Sequence, residues 1–154
     1  MSGSIVCGVD GSADSQAAVA FAAQLASRLG ARLVLAHVAE SAHIPFAAAA
    51  PFGGGAVSMA VTEEIDAQEE AAERLLERVA GAFGLADAER RVVVGLPGER
   101  LAELADEEDA DLIVVGSRGR GAFKAAFLGS VSNSLVGVAR CPVLIVPPGA
   151  ARAR

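Results

Sequence analysis

Five short apolar runs, rich in Val, Ile and Leu and each closed by turn residues, constrain this chain more than any other feature. They are Ser4 to Val9, Arg32 to Val38, Arg91 to Gly95, Asp111 to Val115 and Pro142 to Val146. The runs are continuous rather than alternating, which is the pattern of strands covered on both faces and therefore of a parallel sheet. The stretches between them carry helix periodicity. Ala18, Phe21, Ala22, Leu25, Ala26 and Leu29 share one face of a first helix, with Ser12 as its N-cap and Gly30 as its stop. A second helix runs from about Thr62 to Phe83, with Ile65, Ala72, Leu75, Leu76, Val79 and Phe83 inward and an acidic outer face. A third opens at Pro97, a residue that suits a helix start, and turns Leu101, Leu104 and Ala105 inward. A fourth spans Ser130 to Ala139.

Strand and helix in alternation, joined by right-handed crossovers, predict a doubly wound α/β domain with a five-stranded parallel sheet and helices on both faces, a Rossmann-like arrangement. The 154 residues suit one such domain. It is expected over residues 1–148, with a disordered tail at 149–154. Glu40 to Ala60, which holds Pro45, Pro51 and Gly53-Gly54-Gly55, reads as a long loop. Residues 117–128 read as a second loop.

The formal net charge is −6, which argues against a nucleic-acid coat, since such proteins present basic surfaces. The total is an average over unlike regions. Residues 62–111 hold 16 acids against 5 bases, whereas residues 116–132 hold Arg118, Arg120 and Lys124 and no acid. With no Trp and no Tyr, an aromatic stacking platform is not expected. Nor is a transmembrane helix, because no apolar run reaches the required length. The start of the chain has no basic region and no cleavage site of a signal peptide. The two cysteines, Cys7 and Cys141, lie in apolar surroundings and read as buried, inert thiols. A cytoplasmic, reducing location is expected.

In a doubly wound sheet, ligands bind beyond the carboxyl ends of the strands, where strand order reverses. The end of the fourth strand is unusually equipped. Gly116-Ser117-Arg118-Gly119 follows it directly, and after nine intervening residues Gly129-Ser130-Val131-Ser132 opens the last helix. Glycine lets backbone approach a ligand closely. A helix N-terminus offers free N–H groups and a positive dipole end to an anion. Ser130 and Ser132 add hydroxyls, and Arg118, Arg120 and Lys124 add charge. Each residue alone has an ordinary explanation as a cap or turn; the combination at a strand end points to phosphate. Other phosphate loops are excluded. The single lysine, Lys124, follows Phe123 rather than glycine, so no Walker A loop exists, and it stands where a dinucleotide fingerprint beginning at Gly119 requires Gly or Ala.

These residues resemble the universal stress protein family, in its nucleotide-binding subgroup. The resemblance is carried by Val9-Asp10-Gly11-Ser12, His37-Val38, Gly116-x2-Gly119-x9-Gly129-Ser130 and Cys141-Pro142-Val143-Leu144-Ile145-Val146-Pro147, and it spans about residues 4–148. It implies strand order 3-2-1-4-5 and a cleft between the first and fourth strands. It implies that Asp10 lies near ribose and phosphates, meeting Mg²⁺ (or Mn²⁺) indirectly, and that the backbone of Val38 reads adenine. Val115, Gly116 and Gly119 then wall the ribose and phosphates, while Gly129, Ser130, Val131 and Ser132 cradle a triphosphate. With that order Cys7 and Cys141 stand two strand spacings apart, about 9–10 Å, beyond disulfide reach. The fifth strand becomes an apolar edge, Val143 to Val146, on which a homodimer is expected to pair.

The functional expectation is an ATP-binding regulatory or stress-response protein with no catalytic residue assigned and at most slow hydrolysis, because no water-positioning group accompanies the cradle. His37 is expected to be packed and hydrogen-bonded, and Asp14 to be a first-turn acid complementing the helix dipole. An enzymatic alternative rests on Asp10-Gly11-Ser12-Ala13-Asp14-Ser15, which partly resembles the Ser-Gly-Gly-x-Asp-Ser loop of PP-loop ATP pyrophosphatases, with Ser12 in place of its second glycine. A second alternative is a nucleotide-independent dimeric interaction module. Phosphate number, whether ATP, AMP or a cyclic nucleotide, is left open.

Overall fold

The computed structural model describes residues 3–40, 54–118 and 128–150. Its elements, in chain order, are β1 (Ser4–Gly8), α1 (Ala13–Leu29), β2 (Arg32–Ala39), α2 (Gly54–Ala82), β3 (Glu89–Val94), α3 (Pro97–Glu107), β4 (Leu112–Gly116), α4 (Ser130–Val138) and β5 (Val143–Val146). All strand pairs are parallel, and the sheet order is β3-β2-β1-β4-β5. This is the doubly wound five-stranded fold the sequence predicts. Order reverses between β1 and β4, where Ile5, Val6 and Cys7 pair with Leu112, Ile113 and Val114.

Alternate residues of each strand feed two separate cores. Ile5, Cys7, Leu33, Leu35 and Val114 join Ala18, Val19, Ala22, Leu76 and Val79 of α1 and α2 on one face. Val6, Val34, Ala36, Ile113 and Val115 join Leu101, Leu104 and Leu135 of α3 and α4 on the other. A strand covered on both faces has no polar side to show, hence its continuous apolar run.

Helix boundaries follow the local chemistry. Ser12 caps α1 by accepting the Ser15 N–H through its hydroxyl at 3.1 Å, and Gly30 closes the helix in the left-handed region at φ 63°. Pro97 sits in the first turn of α3. Three expectations need correction. First, α2 begins at Gly54, about eight residues before Thr62, so the last part of the supposed Glu40–Ala60 loop is helical. The glycine triplet there marks the approach to a helix end, and once the following turns are helical, extending them costs little. Second, Ile65 is 41% and Leu29 63% exposed rather than packed inward. A helix of 29 residues is about 43 Å long. It overruns the sheet, and among its described side chains the buried ones run from Ala72 to Ala80; Leu29 is the last residue of α1 and stands clear of the sheet in the same way. Third, β3 starts at Glu89 rather than Arg91 and ends at Val94, because Gly95, at φ 144°, leaves the extended conformation.

Residues 41–53, 119–127 and 151–154 lie outside the described residues. The expectations for most of the Glu40–Ala60 loop, for Gly119, Arg120 and Lys124, and for the end of the tail fall there. Both cysteines are free thiols. Cys7 is fully buried, and burial pushes its thiol up to about 12, so it is inert as expected. Cys141 is only half-buried; it precedes β5, the edge strand, which is paired on one side only. No described helix is long and apolar enough to cross a membrane.

At the amino end of the sheet, far from the strand exits, Arg32 bridges Glu89 (2.9 Å) and Glu108 (2.7 Å), and Arg91 bridges the same two carboxylates (2.7 and 2.9 Å). Hydrogen bonding from Arg32 holds the Glu89 carboxyl below its ordinary range.

Candidate functional site

The sequence places its candidate residues at the carboxyl ends of β1, β2 and β4, and the sheet order makes these three strands neighbours. At the exit of β1, Asp10 is fixed by its own turn. Its Oδ1 accepts the Ser12 N–H at 2.8 Å, and its N–H donates to Ser15 Oγ at 3.1 Å. This Asx-type turn needs Gly11 at φ 82°. A carboxylate is thereby held at the exit of β1 with one oxygen engaged.

The exit of β2 is tied to that of β1. The Val9 N–H donates to the Ala36 carbonyl at 2.8 Å, and His37 Nδ1 donates to the Val9 carbonyl at 2.7 Å. His37 is therefore packed and hydrogen-bonded, as its strand position predicts. The bond fixes a proton on Nδ1 and commits that nitrogen to structure. Val38, the next residue, is half-buried against the second core and pairs with Val93 of β3.

The exit of β4 is locked on several sides. The Ser117 N–H donates to the Val146 carbonyl at 3.1 Å, and the Gly129 N–H donates to the Ser117 carbonyl at 2.8 Å. The second bond brings the two halves of the glycine-rich motif together across the intervening residues. Ser132, 2% exposed, donates its hydroxyl to the Gly116 carbonyl at 2.9 Å. Motif position sets it among the phosphate-facing hydroxyls; in the fold that hydroxyl instead pins α4 to the end of β4. Gly129 is the N-cap of α4 and supplies no side-chain hydrogen bond. The first-turn amides of Ser130, Val131 and Ser132 thus lack the intrahelical partners that later residues have. Ser130 is exposed and Val131 half-buried.

Gly116 is required by close approach rather than by its own conformation. A Cβ there would lie 2.7 Å from the carbonyl carbon and oxygen of Asp14. The first turn of α1 therefore rests directly on the exit of β4. Val115, 4% exposed, packs beneath it in the second core.

Two participants escaped the sequence reading. Asp14 Oδ2 accepts the Ser117 hydroxyl at 2.9 Å and lies 3.5 Å from Arg118 Nε. The contact joins the first turn of α1 to the end of β4. Asp14 reads in sequence as a helix-dipole acid, and Ser117 falls in the unassigned part of the motif. Only the folded chain joins them.

The site can offer an anion the uncapped amides of α4 and the guanidinium of Arg118. It can offer a cation the Asp10 carboxylate. No group of three or more His, Cys, Asp or Glu side chains among the described residues could hold a metal ion by itself. A divalent ion fits here only with phosphate oxygens completing its shell.

Comparison with known proteins gives a consistent result. The universal stress protein family model matches residues 1–147. A universal stress protein of Thermus aquaticus is 34% identical over 142 residues, covering 92% of this chain and 96% of its own length. One from Mycobacterium tuberculosis is 33% identical over 92% of this chain, which spans 44% of that longer protein. Among solved structures, the hypothetical protein MJ0577 superposes with a TM-score of 0.76 at 23% identity, covering 96% of both chains. A universal stress protein in complex with cAMP gives 0.59 at 33% identity, over 94% of this chain and 95% of that one. A universal stress protein from Archaeoglobus fulgidus in complex with dAMP gives 0.61 at 22%, over 95% of this chain and 98% of that one. The glycine-rich strand exit, the sheet order and these matches agree: the chain belongs to the universal stress protein family.

Proposed function

We propose that the protein binds ATP, accompanied by Mg²⁺ (or Mn²⁺), at the carboxyl ends of β1 and β4, and that occupancy serves a regulatory, stress-response role rather than turnover. The observation that carries this reading is the uncapped start of α4, bonded through Gly129 to Ser117 at the exit of β4. That junction presents successive amides, a helix dipole and Arg118 to one place, which is the chemistry a polyphosphate needs. Asp10 and Gly116 stand beside it at the strand exits, with Val9 and Val115 buried directly behind them; Gly129, Ser130, Val131 and Ser132, at the start of α4, form its floor, and Val38 stands at the neighbouring strand end for the base. Gly119 belongs to the same motif. An adenine nucleotide is favoured because two of the similar solved structures are complexes with cAMP and dAMP. The metal would arrive with the phosphates and meet Asp10, whose second carboxylate oxygen is not committed to the turn.

Slow or absent hydrolysis follows from the residues beside the cradle. His37 Nδ1 is engaged with the Val9 carbonyl. Asp14 is engaged with Ser117 and Arg118. Those two atoms, His37 Nδ1 and Asp14 Oδ2, are committed to holding the strand exits together. Titration calorimetry with ATP and Mg²⁺ is expected to show one site per chain, with no phosphate released over several turnovers' worth of time. A flat titration of the folded protein overturns the reading.

We also propose a homodimer joined along β5. Val143, Leu144 and Ile145 are only half-buried although they lie in a sheet, and Val136 and Val138 of the adjoining helix are 66% and 45% exposed. An unpaired apolar edge of this kind invites a second copy. Light scattering at micromolar concentration is expected to give twice the chain mass. A monomer that persists as concentration rises sinks the proposal.

A further inference from the structure

We infer that Asp14 sets the charge preference of the nucleotide site, opposing each added phosphate charge unless a divalent cation accompanies it; the inference rests on the binding reading above. The Asp14 side chain is 13% exposed and Arg118 34%. Asp14 Oδ2 holds the Ser117 hydroxyl at 2.9 Å and faces Arg118 Nε at 3.5 Å. It therefore occupies the side chains at the exit of β4 that an anion would otherwise recruit. Arg118 is the one cationic side chain among the described residues of the glycine-rich motif, and its charge is already partly answered from within the protein.

The carboxylate cannot withdraw easily. Asp14 lies in the first turn of α1, whose backbone is pressed against Gly116, and Ser12 and Ser15 lock that turn. Its negative charge is thus fixed beside the exit of β4, with Asp10 four residues before it in the turn that leads into α1. Repulsion between fixed charges grows in proportion to ligand charge and is strengthened by partial burial. A triphosphate without metal meets the full effect, a monophosphate less and a cyclic monophosphate least. A bound divalent cation removes most of the difference.

The test compares the full-length protein with Asp14→Asn and Asp14→Ser by calorimetry against ATP, AMP and cAMP, each with and without Mg²⁺. Asparagine keeps an oxygen for the Ser117 hydroxyl and removes the charge; serine removes the charge with a different side chain, and thermal melting identifies a folded variant. Neutralisation is expected to tighten metal-free ATP about tenfold, AMP about threefold and cAMP less than twofold, with Mg²⁺ shrinking the ATP gain. Equal changes for all three ligands, or weaker ATP binding in a folded neutral variant, overturn the inference while leaving nucleotide binding intact. Failure of the wild-type protein and both variants to bind any of the three overturns both readings together.

Discussion

Replacing Gly116 with alanine is expected to lower the unfolding free energy by about 1–3 kcal/mol, the usual range for forcing extra carbon into a packed interior. The added Cβ would stand 2.7 Å from two backbone atoms of Asp14 and 2.9 Å from its Cβ. No flexible side-chain tip can swing away there, so α1 itself must lift from the end of β4. Two features depend on that seating: the Ser117–Asp14 hydrogen bond and the approach of Arg118 to Asp14. Nucleotide affinity should fall together with stability. Urea unfolding measures the first effect, with an unchanged slope if the transition stays two-state. Gly137→Ala is the matched control. It lies in α4 with nothing within 4 Å of the added Cβ. Its sign should be opposite, a gain of up to about 1 kcal/mol, because alanine is the better helix former. A loss below about 0.5 kcal/mol for the Gly116 variant would show that α1 is not seated as described.

The contrast between these two glycines shows what could be read in the sequence. Gly116 stood out because it follows a Val-rich strand and opens the spaced glycine-serine motif, so its place at the strand exit was visible. Its reason was not: a Cβ at Gly116 would strike Asp14, 102 positions away by residue number, and no local pattern announces that meeting. Asp14 suffered the same fate from the other side. A first-turn acid has a sufficient local explanation in the helix dipole, which hides a long-range one. Motif position alone turns Ser132 outward to a phosphate, whereas in the folded chain it is buried and its hydroxyl donates to the Gly116 carbonyl. The strands were legible because two-sided burial writes itself into every residue of a run. Helix ends were less so. The start of α2 at Gly54 and the exposure of Ile65 reflect how far a helix extends past the sheet, and periodicity carries no record of that. Strand order came from family resemblance, since apolar runs alone do not say which strands touch.

Ser130→Asp should separate the stability of α4 from its capacity to hold an anion. Ser130 is the first residue of the helix, is exposed, and follows an N-cap that offers no side-chain hydrogen bond. A carboxylate in that turn complements the dipole and is expected to stabilise the fold by about 0.3–1 kcal/mol. The same charge would sit where the proposed phosphates meet the amides of Ser130, Val131 and Ser132. At about 5 Å and an effective dielectric near 20, one unit of like charge costs about 3 kcal/mol, roughly a hundredfold in affinity. The variant should therefore melt slightly higher than the wild type and bind ATP about a hundred times more weakly. Differential scanning calorimetry without ligand and titration with Mg²⁺-ATP read the two effects on one preparation. Since the substitution adds no buried group, lost binding with retained stability can be assigned to charge rather than to unfolding. Undiminished ATP affinity in the folded variant would place the phosphates away from the start of α4 and remove the observation on which the binding reading rests.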